Sequence, residues 1–260
     1  MYFTARFQQN LDWTDHTLIL PAVAVGNVGQ LTVDLLLSTL EVELVGRLHS
    51  TAFLPLVGPD PFHAEPKGIV TSCQVYHCLA HKLVIVQQRA PVAMNRRREF
   101  RTSLIQWIQE HHFKQVILLS SCFAHFRTDK DLLQIPLKFL CTPDLTESVG
   151  SYLHSSLGWR SLERRDPFTY NEDSAGVLHM PGSGITRSLF EECSTKKVHL
   201  VVLLLYCSEG DNVPDAFTMA DQLNNWLQLI SGSDSEKNKS WKVPVSWNLM
   251  FGNHPPKNIY

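Results

Sequence analysis

The stretch Thr17-Leu18-Ile19-Leu20-Pro21-Ala22-Val23-Ala24-Val25-Gly26-Asn27-Val28-Gly29 carries the first decision about the fold. Thr17 to Val25 is short, apolar and β-rich, the pattern of a buried strand. Pro21 lacks the N–H a central strand needs, so a bulge or an early end is expected there. Gly26-Asn27-Val28-Gly29 reads as a tight turn needing positive backbone angles. From it to Leu40 the spacing is helical, with Val28, Leu31, Leu35 and Leu36 on one face. Val33, Leu37 and Leu40 widen that face, so the helix is covered from more than one side.

Working outward, residues 44–49, 69–79 and 83–88 read as strands, and residues 55–68, with four prolines and two glycines, as a loop. Residues 96–112 place Phe100, Leu104, Trp107 and Ile108 at helical spacing and lead into a buried strand over 116–119. Residues 120–179 are less regular. Within them Thr142-Pro143-Asp144 starts a helix carrying Leu145, Val149 and Leu153, and residues 166–176 form a polar exposed loop. The strongest strand is 198–207. Pro214 and Asp215 then open a helix, because a missing N–H is harmless in the first turn and a carboxylate favours it. Strand–helix–strand alternation implies an α/β layer structure. The expected fold is one α/β domain over residues 1–231, with a central, mostly parallel or mixed sheet flanked by helices. Beyond the polar connection 231–239, an aromatic C-terminal extension, residues 232–260, is expected to pack on the domain or on partners.

Composition narrows the function. The net charge is −2, from 23 basic and 25 acidic side chains, with no basic excess to neutralise phosphates, so nucleic acid is not an expected partner. Arg96-Arg97-Arg98 and Arg101 read as a solvated helix face. Six cysteines are scattered, several in apolar runs and none at Cys-x-x-Cys spacing, which fits free thiols in a reducing compartment. The first residues lack the order of a signal peptide. No apolar run approaches the ~20 residues of a membrane span, so no membrane partner is expected.

Each candidate for chemistry has a plainer reading. The turn at Gly26 follows a strand, where a phosphate loop would sit, but it lacks both Gly-x-Gly-x-x-Gly and the Lys-Ser/Thr ending of a P-loop. Ser183, in Pro181-Gly182-Ser183-Gly184-Ile185-Thr186, is outside a Gly-x-Ser-x-Gly elbow. Ser183 or Thr186 as a helix cap accounts for the residues. Ser208-Glu209-Gly210-Asp211-Asn212 has too few oxygen donors for a calcium loop and reads as a turn with capping. Adjacent His111 and His112 point to different helix faces and do not share a metal. No catalytic residue, metal ligand or cofactor is assigned. The alternative is a nucleoside- or phosphate-binding α/β enzyme using the two glycine turns.

The order and wording of these segments carry a resemblance. Pro21 through Leu31, Pro181 through Thr186, Ser208 through Ala216, and Leu223-Asn224-Asn225-Trp226-Leu227 resemble the proteasome assembly chaperone family. Trp241-Lys242-Val243-Pro244, Ser246-Trp247, Leu249, Phe251 and Gly252 extend the match nearly along the whole chain. It is weakest over 59–68 and 166–176. The resemblance implies a non-catalytic, ATP-independent chaperone of α/β fold in the cytoplasm and nucleus. It also implies a heterodimer with proteasome assembly chaperone 1 that holds proteasome α subunits, promotes the α ring and core particle, and then leaves. Related chaperones and activators can end in a hydrophobic residue, tyrosine and any residue. Here Ile259-Tyr260 is offset by one position. Ile259, Tyr260 and Phe251 are the partner-binding candidates, aromatics being favoured interface anchors. Trp241 and Trp247 are assigned to the domain's own core.

Overall fold

The computed structural model describes residues 1–6, 12–65, 68–127, 133–164, 176–230 and 241–249. Eleven strands are present among them: β1 (Tyr2–Ala5), β2 (Thr17–Pro21), β3 (Glu43–His49), β4 (Val57–Pro59), β5 (Ile69–Thr71), β6 (Cys73–Cys78), β7 (Leu83–Gln88), β8 (Gln115–Phe123), β9 (Leu137–Cys141), β10 (Arg160–Ser161) and β11 (Leu200–Cys207). The helices used below are α1 (Val28–Thr39), α2 (Arg97–Glu110), α3 (Ser151–Ser155), α4 (Thr186–Thr195) and α5 (Val213–Leu227).

Nine strands form one mixed sheet in the order β1-β3-β6-β7-β2-β8-β11-β9-β10. Its centre, β7-β2-β8-β11, is parallel, and β6, β3 and β1 continue it antiparallel on one side. Central strands alternate between two cores because successive side chains point to opposite faces. Leu18, Leu20, Leu118, Val202 and Leu204 join Phe100, Leu104, Leu189 and Phe190 of α2 and α4. Ile19, Ile117, Leu119, Val201 and Leu203 join Val33, Leu36, Met219 and Leu223 of α1 and α5. The helices therefore cover both faces, as a parallel sheet requires.

Four sequence readings are refined. β2 stops at Pro21, which contributes no ladder N–H, although the Ala22 N–H still bonds the Leu119 carbonyl of β8 at 2.8 Å. The expected strand 69–79 is two strands broken at Ser72. The Ser72 hydroxyl donates to the Leu54 carbonyl and accepts from the Leu56 N–H, which diverts β5 into a separate two-stranded ribbon with β4. The irregular middle contains β9, inserted antiparallel beside β11, and a Pro143–Leu145 turn, a π-helical turn and α3. The Arg101 guanidinium meets Glu192 at 2.7 Å, joining α2 to α4, so Arg101 is not simply solvated.

Buried polar contacts seat α1 on β7. Asp34 accepts from the Arg89 guanidinium at 2.7 Å and from the Gln87 amide at 2.6 Å, and the Gln30 amide donates to the Gln88 carbonyl at 2.7 Å. Trp241 and Trp247 are buried against the α1/α5 side. Trp241 donates its indole N–H to Asp221, and the Ser246 N–H donates to the Pro61 carbonyl at 3.1 Å.

Candidate functional site

The turns that follow β2, precede α4 and follow β11 meet at the carboxyl end of the parallel strands, where α/β sheets carry their sites. Gly26 and Asn27 turn the chain from β2 into α1 in left-handed conformations, with φ of +67° and +52°. Asn212, from the turn after β11, lies against Gly26. A Cβ placed on Gly26 would come within 2.6 Å of the Asn212 side chain. Gly184 is left-handed too, at φ +63°, and a Cβ there would run into the Val23 carbonyl oxygen. These glycines let the turn before α4 meet the Val23 backbone and the Asn212 side chain press on the turn after β2.

Hydrogen bonds close the junction. The Val25 N–H donates to the Gly182 carbonyl at 2.8 Å, and the Phe123 N–H donates to the Pro181 carbonyl at 3.2 Å. The Val25 carbonyl accepts from the Ser121 hydroxyl at 2.5 Å. Ser120 and Thr186 hydroxyls lie 2.7 Å apart, and since Thr186 donates onward to the Ser183 carbonyl, Ser120 is the donor between them. Ser183 is buried and donates to the Met180 carbonyl at 2.7 Å. The expected capping by Ser183 or Thr186 is corrected here: both hydroxyls donate to carbonyls, and α4 has no side-chain cap.

The acidic stretch is a turn as expected, but the expected capping is corrected: the N-cap residue Asn212 makes no side-chain cap to α5. Asp211 accepts from the Val213 N–H at 3.0 Å, and the Asn212 amide donates to the Ser208 carbonyl and to Asp215, each at 2.8 Å. An anion placed between the glycine turns would have to displace Asn212 or the Val23 carbonyl. The glycines thus serve chain-to-chain approach. Among the described residues, no three His, Cys, Asp or Glu side chains are grouped to hold a metal ion. His111 bonds the Trp107 carbonyl through Nδ1 and stacks on Trp13.

Sequence reading missed the Asp34–Arg89 pair and also a pair of histidines. His16 and His77 face each other with Nε2 atoms 3.0 Å apart, and burial lowers the pKa of both. They are 61 positions apart, so no spacing rule signals them. Phe251, Ile259 and Tyr260 lie outside the described residues, as do residues 231–239 and most of 166–176.

The segments meeting at this junction all fall within residues 18–234, the span matched by the model of the PAC2 family. The chain belongs to the PAC2 family. Full-length relatives agree: it is 38% identical over 250 residues to proteasome assembly chaperone 2 of Xenopus tropicalis, covering 95% of each chain. It is 40% identical over 247 residues to proteasome assembly chaperone 2 of Danio rerio, covering 94% of each. The PAC2 fold is also that of Pyrococcus furiosus PbaA, an archaeal homolog of proteasome-assembly chaperone, with a TM-score of 0.62 at 16% identity over 90% of this chain and 89% of PbaA. In PAC2-family terms, the junction of Gly26, Asn212 and Gly184 lies within the common framework, while the extension from Trp241 lies beyond the family span.

Proposed function

We propose that this chain is a non-catalytic, ATP-independent chaperone of proteasome assembly. In this reading it pairs with proteasome assembly chaperone 1, and the heterodimer holds proteasome α subunits, promotes the α ring and leaves as the core particle matures, in the cytoplasm and nucleus. The observation that carries the reading is 38% identity to proteasome assembly chaperone 2 of Xenopus tropicalis, with 95% of each chain covered. A role made of interfaces suits a junction whose glycines and hydroxyls are engaged with protein. Phe251, Ile259 and Tyr260 are the proposed α-subunit contacts.

The test is a tagged pull-down from cells under gentle conditions, with co-purifying proteins identified by mass spectrometry. Chaperone 1 and α subunits, with few mature β subunits, are the expected companions. Recovery of neither would refute the reading and leave a shared fold only. Replacing Ile259 and Tyr260 by alanine without loss of α-subunit binding would remove those residues from it.

A further inference from the structure

His16 and His77 meet at the amino end of β2, with their Nε2 atoms 3.0 Å apart and their ring centroids 5.0 Å apart. Both residues are half-buried, and both sit on fixed backbone. The His16 N–H donates to the Trp13 carbonyl at 2.8 Å, and the His16 carbonyl accepts from the Lys114 N–H at 3.0 Å. His77 lies inside β6, paired with Glu43 of β3 on one side and with Val84 of β7 on the other. Side chains carried by strands hold a binding geometry better than side chains on loops.

Two neutral imidazoles facing in this way have one proton between them, so one ring donates and the other accepts. The tautomer of a histidine is set by what its other ring nitrogen bonds. His16 Nδ1 is enclosed and has no partner among the described residues, so the contact with His77 alone decides which His16 nitrogen carries the proton. A cation can take the place of the shared proton, and that proton then moves to Nδ1 of the ring that held it. Zinc binds imidazole nitrogen at about 2.0–2.1 Å, which puts two nitrogens on a tetrahedral ion about 3.3 Å apart and two neighbouring ones on a square-planar ion about 2.9 Å apart. The 3.0 Å between His16 and His77 falls between these values.

Access and charge suit a cation as well. A hollow of about 340 Å³, lined by Asp12, Thr14, Asp15, His16 and Lys82, opens onto His16. Asp15 on this hollow and Glu43 beside His77 are exposed carboxylates, offset in part by Lys82, which meets Asp15 at 3.7 Å. No third His, Cys, Asp or Glu is grouped with the pair among the described residues, so water completes the coordination. Magnesium and calcium seek oxygen ligands, whereas zinc, copper and nickel take imidazole.

We propose that His16 and His77 form a two-imidazole chelate for one divalent transition-metal ion of the zinc, copper and nickel class. The bound ion ties the head of β2 to β6 across 61 positions of the chain. Metal binding here does not depend on the chaperone role.

The test titrates zinc chloride into the full chain, stripped of metal with a chelator, near neutral pH by isothermal calorimetry. One ion per chain is expected, with affinity at least tenfold weaker in His16→Gln and in His77→Gln. Imidazole NMR spectra of the unaltered chain give a second readout that needs no variant to fold. Of the twelve histidines, the rings of His16 and His77 should shift together at one equivalent of zinc, and magnesium chloride should leave both unmoved. Wild-type affinity in both variants, shifts confined to other histidines, or no saturable zinc binding by the unaltered chain overturns the proposal. An equal response to magnesium would show a general charge effect and overturn it too.

Discussion

If the glycine turns exist for close approach, adding one methyl group at Gly184 must cost more than the same change at a glycine with open surroundings. Gly158 supplies the comparison. Its φ is +69°, close to the +63° of Gly184, and a Cβ there would meet no heavy atom within 4 Å. Alanine at either site bears the left-handed penalty of roughly 1–2 kcal/mol, and the change in the unfolded chain is common to both. Gly184→Ala additionally drives its Cβ into the Val23 carbonyl oxygen, and relieving such overpacking costs about 1–3 kcal/mol. The expected losses are therefore about 1–2 kcal/mol for Gly158→Ala and about 2–5 kcal/mol for Gly184→Ala. At about 2–4 °C per kcal/mol for a domain of this size, the second variant melts roughly 4–20 °C low. Urea unfolding gives the comparison most directly, as a midpoint shift at unchanged slope. Equal destabilisation at the two sites would refute the argument that the turn before α4 is pressed against the Val23 backbone at Gly184.

Three further outcomes follow from the geometry. Burial lowers the pKa of His16 and His77 below 6.5, so the folded state binds fewer protons than the unfolded chain near that pH. Stability is then fully present above about pH 6.5 and lost as pH falls through that value toward the folded pKa. His77→Gln should flatten the loss between pH 7.5 and 5.5 in urea titrations, and an unchanged slope would contradict it. Asp34→Ala strands the largely buried Arg89 guanidinium and is expected to cost about 3 kcal/mol, with Asp34→Leu/Arg89→Met costing less; equal losses in urea unfolding would argue against a coupled pair. Burial pushes the Cys207 thiol up to about 11 and Cys141 and Cys193 up to about 12, so at pH 8 these thiols should react with an aromatic disulfide only after denaturation. Rapid native-state reaction would contradict their burial.

How much of this was legible in the chain depends on whether the deciding contacts are local. The β2–α1 unit was readable because strand and helix periods, a proline and a glycine turn lie within a few residues of one another. α2 and α5 were readable from their apolar stripes. β1 was not, since four mostly exposed residues at a sheet edge carry no alternation against a core. Residues 69–79 kept one pattern across a real break, because the partners that divert β5 at Ser72 are Leu54 and Leu56, far back in sequence.

The site shows the limit most clearly at β8. Sequence reading ended that strand at Leu119, where two serines interrupt the apolar run, yet the strand continues to Phe123 with Ser120 and Ser121 buried. A buried hydroxyl without a partner is costly, so a strand containing two of them is credible only if partners exist. Those partners are Thr186, 66 positions later, and the Val25 carbonyl, 96 positions earlier. Each belongs to one of the glycine-bearing motifs. The serines that appeared to end a strand and the glycines that appeared to be simple turns are therefore one arrangement. The hydroxyls need carbonyl and hydroxyl neighbours, and the missing Cβ atoms let those neighbours come close enough. Ser121→Ala tests the coupling without adding bulk. It should destabilise less in a Gly184→Ala background than alone, because the displaced turn no longer holds the Val25 carbonyl against the Ser121 hydroxyl. Strict additivity of the two losses would mean that the motifs are neighbours without being one unit.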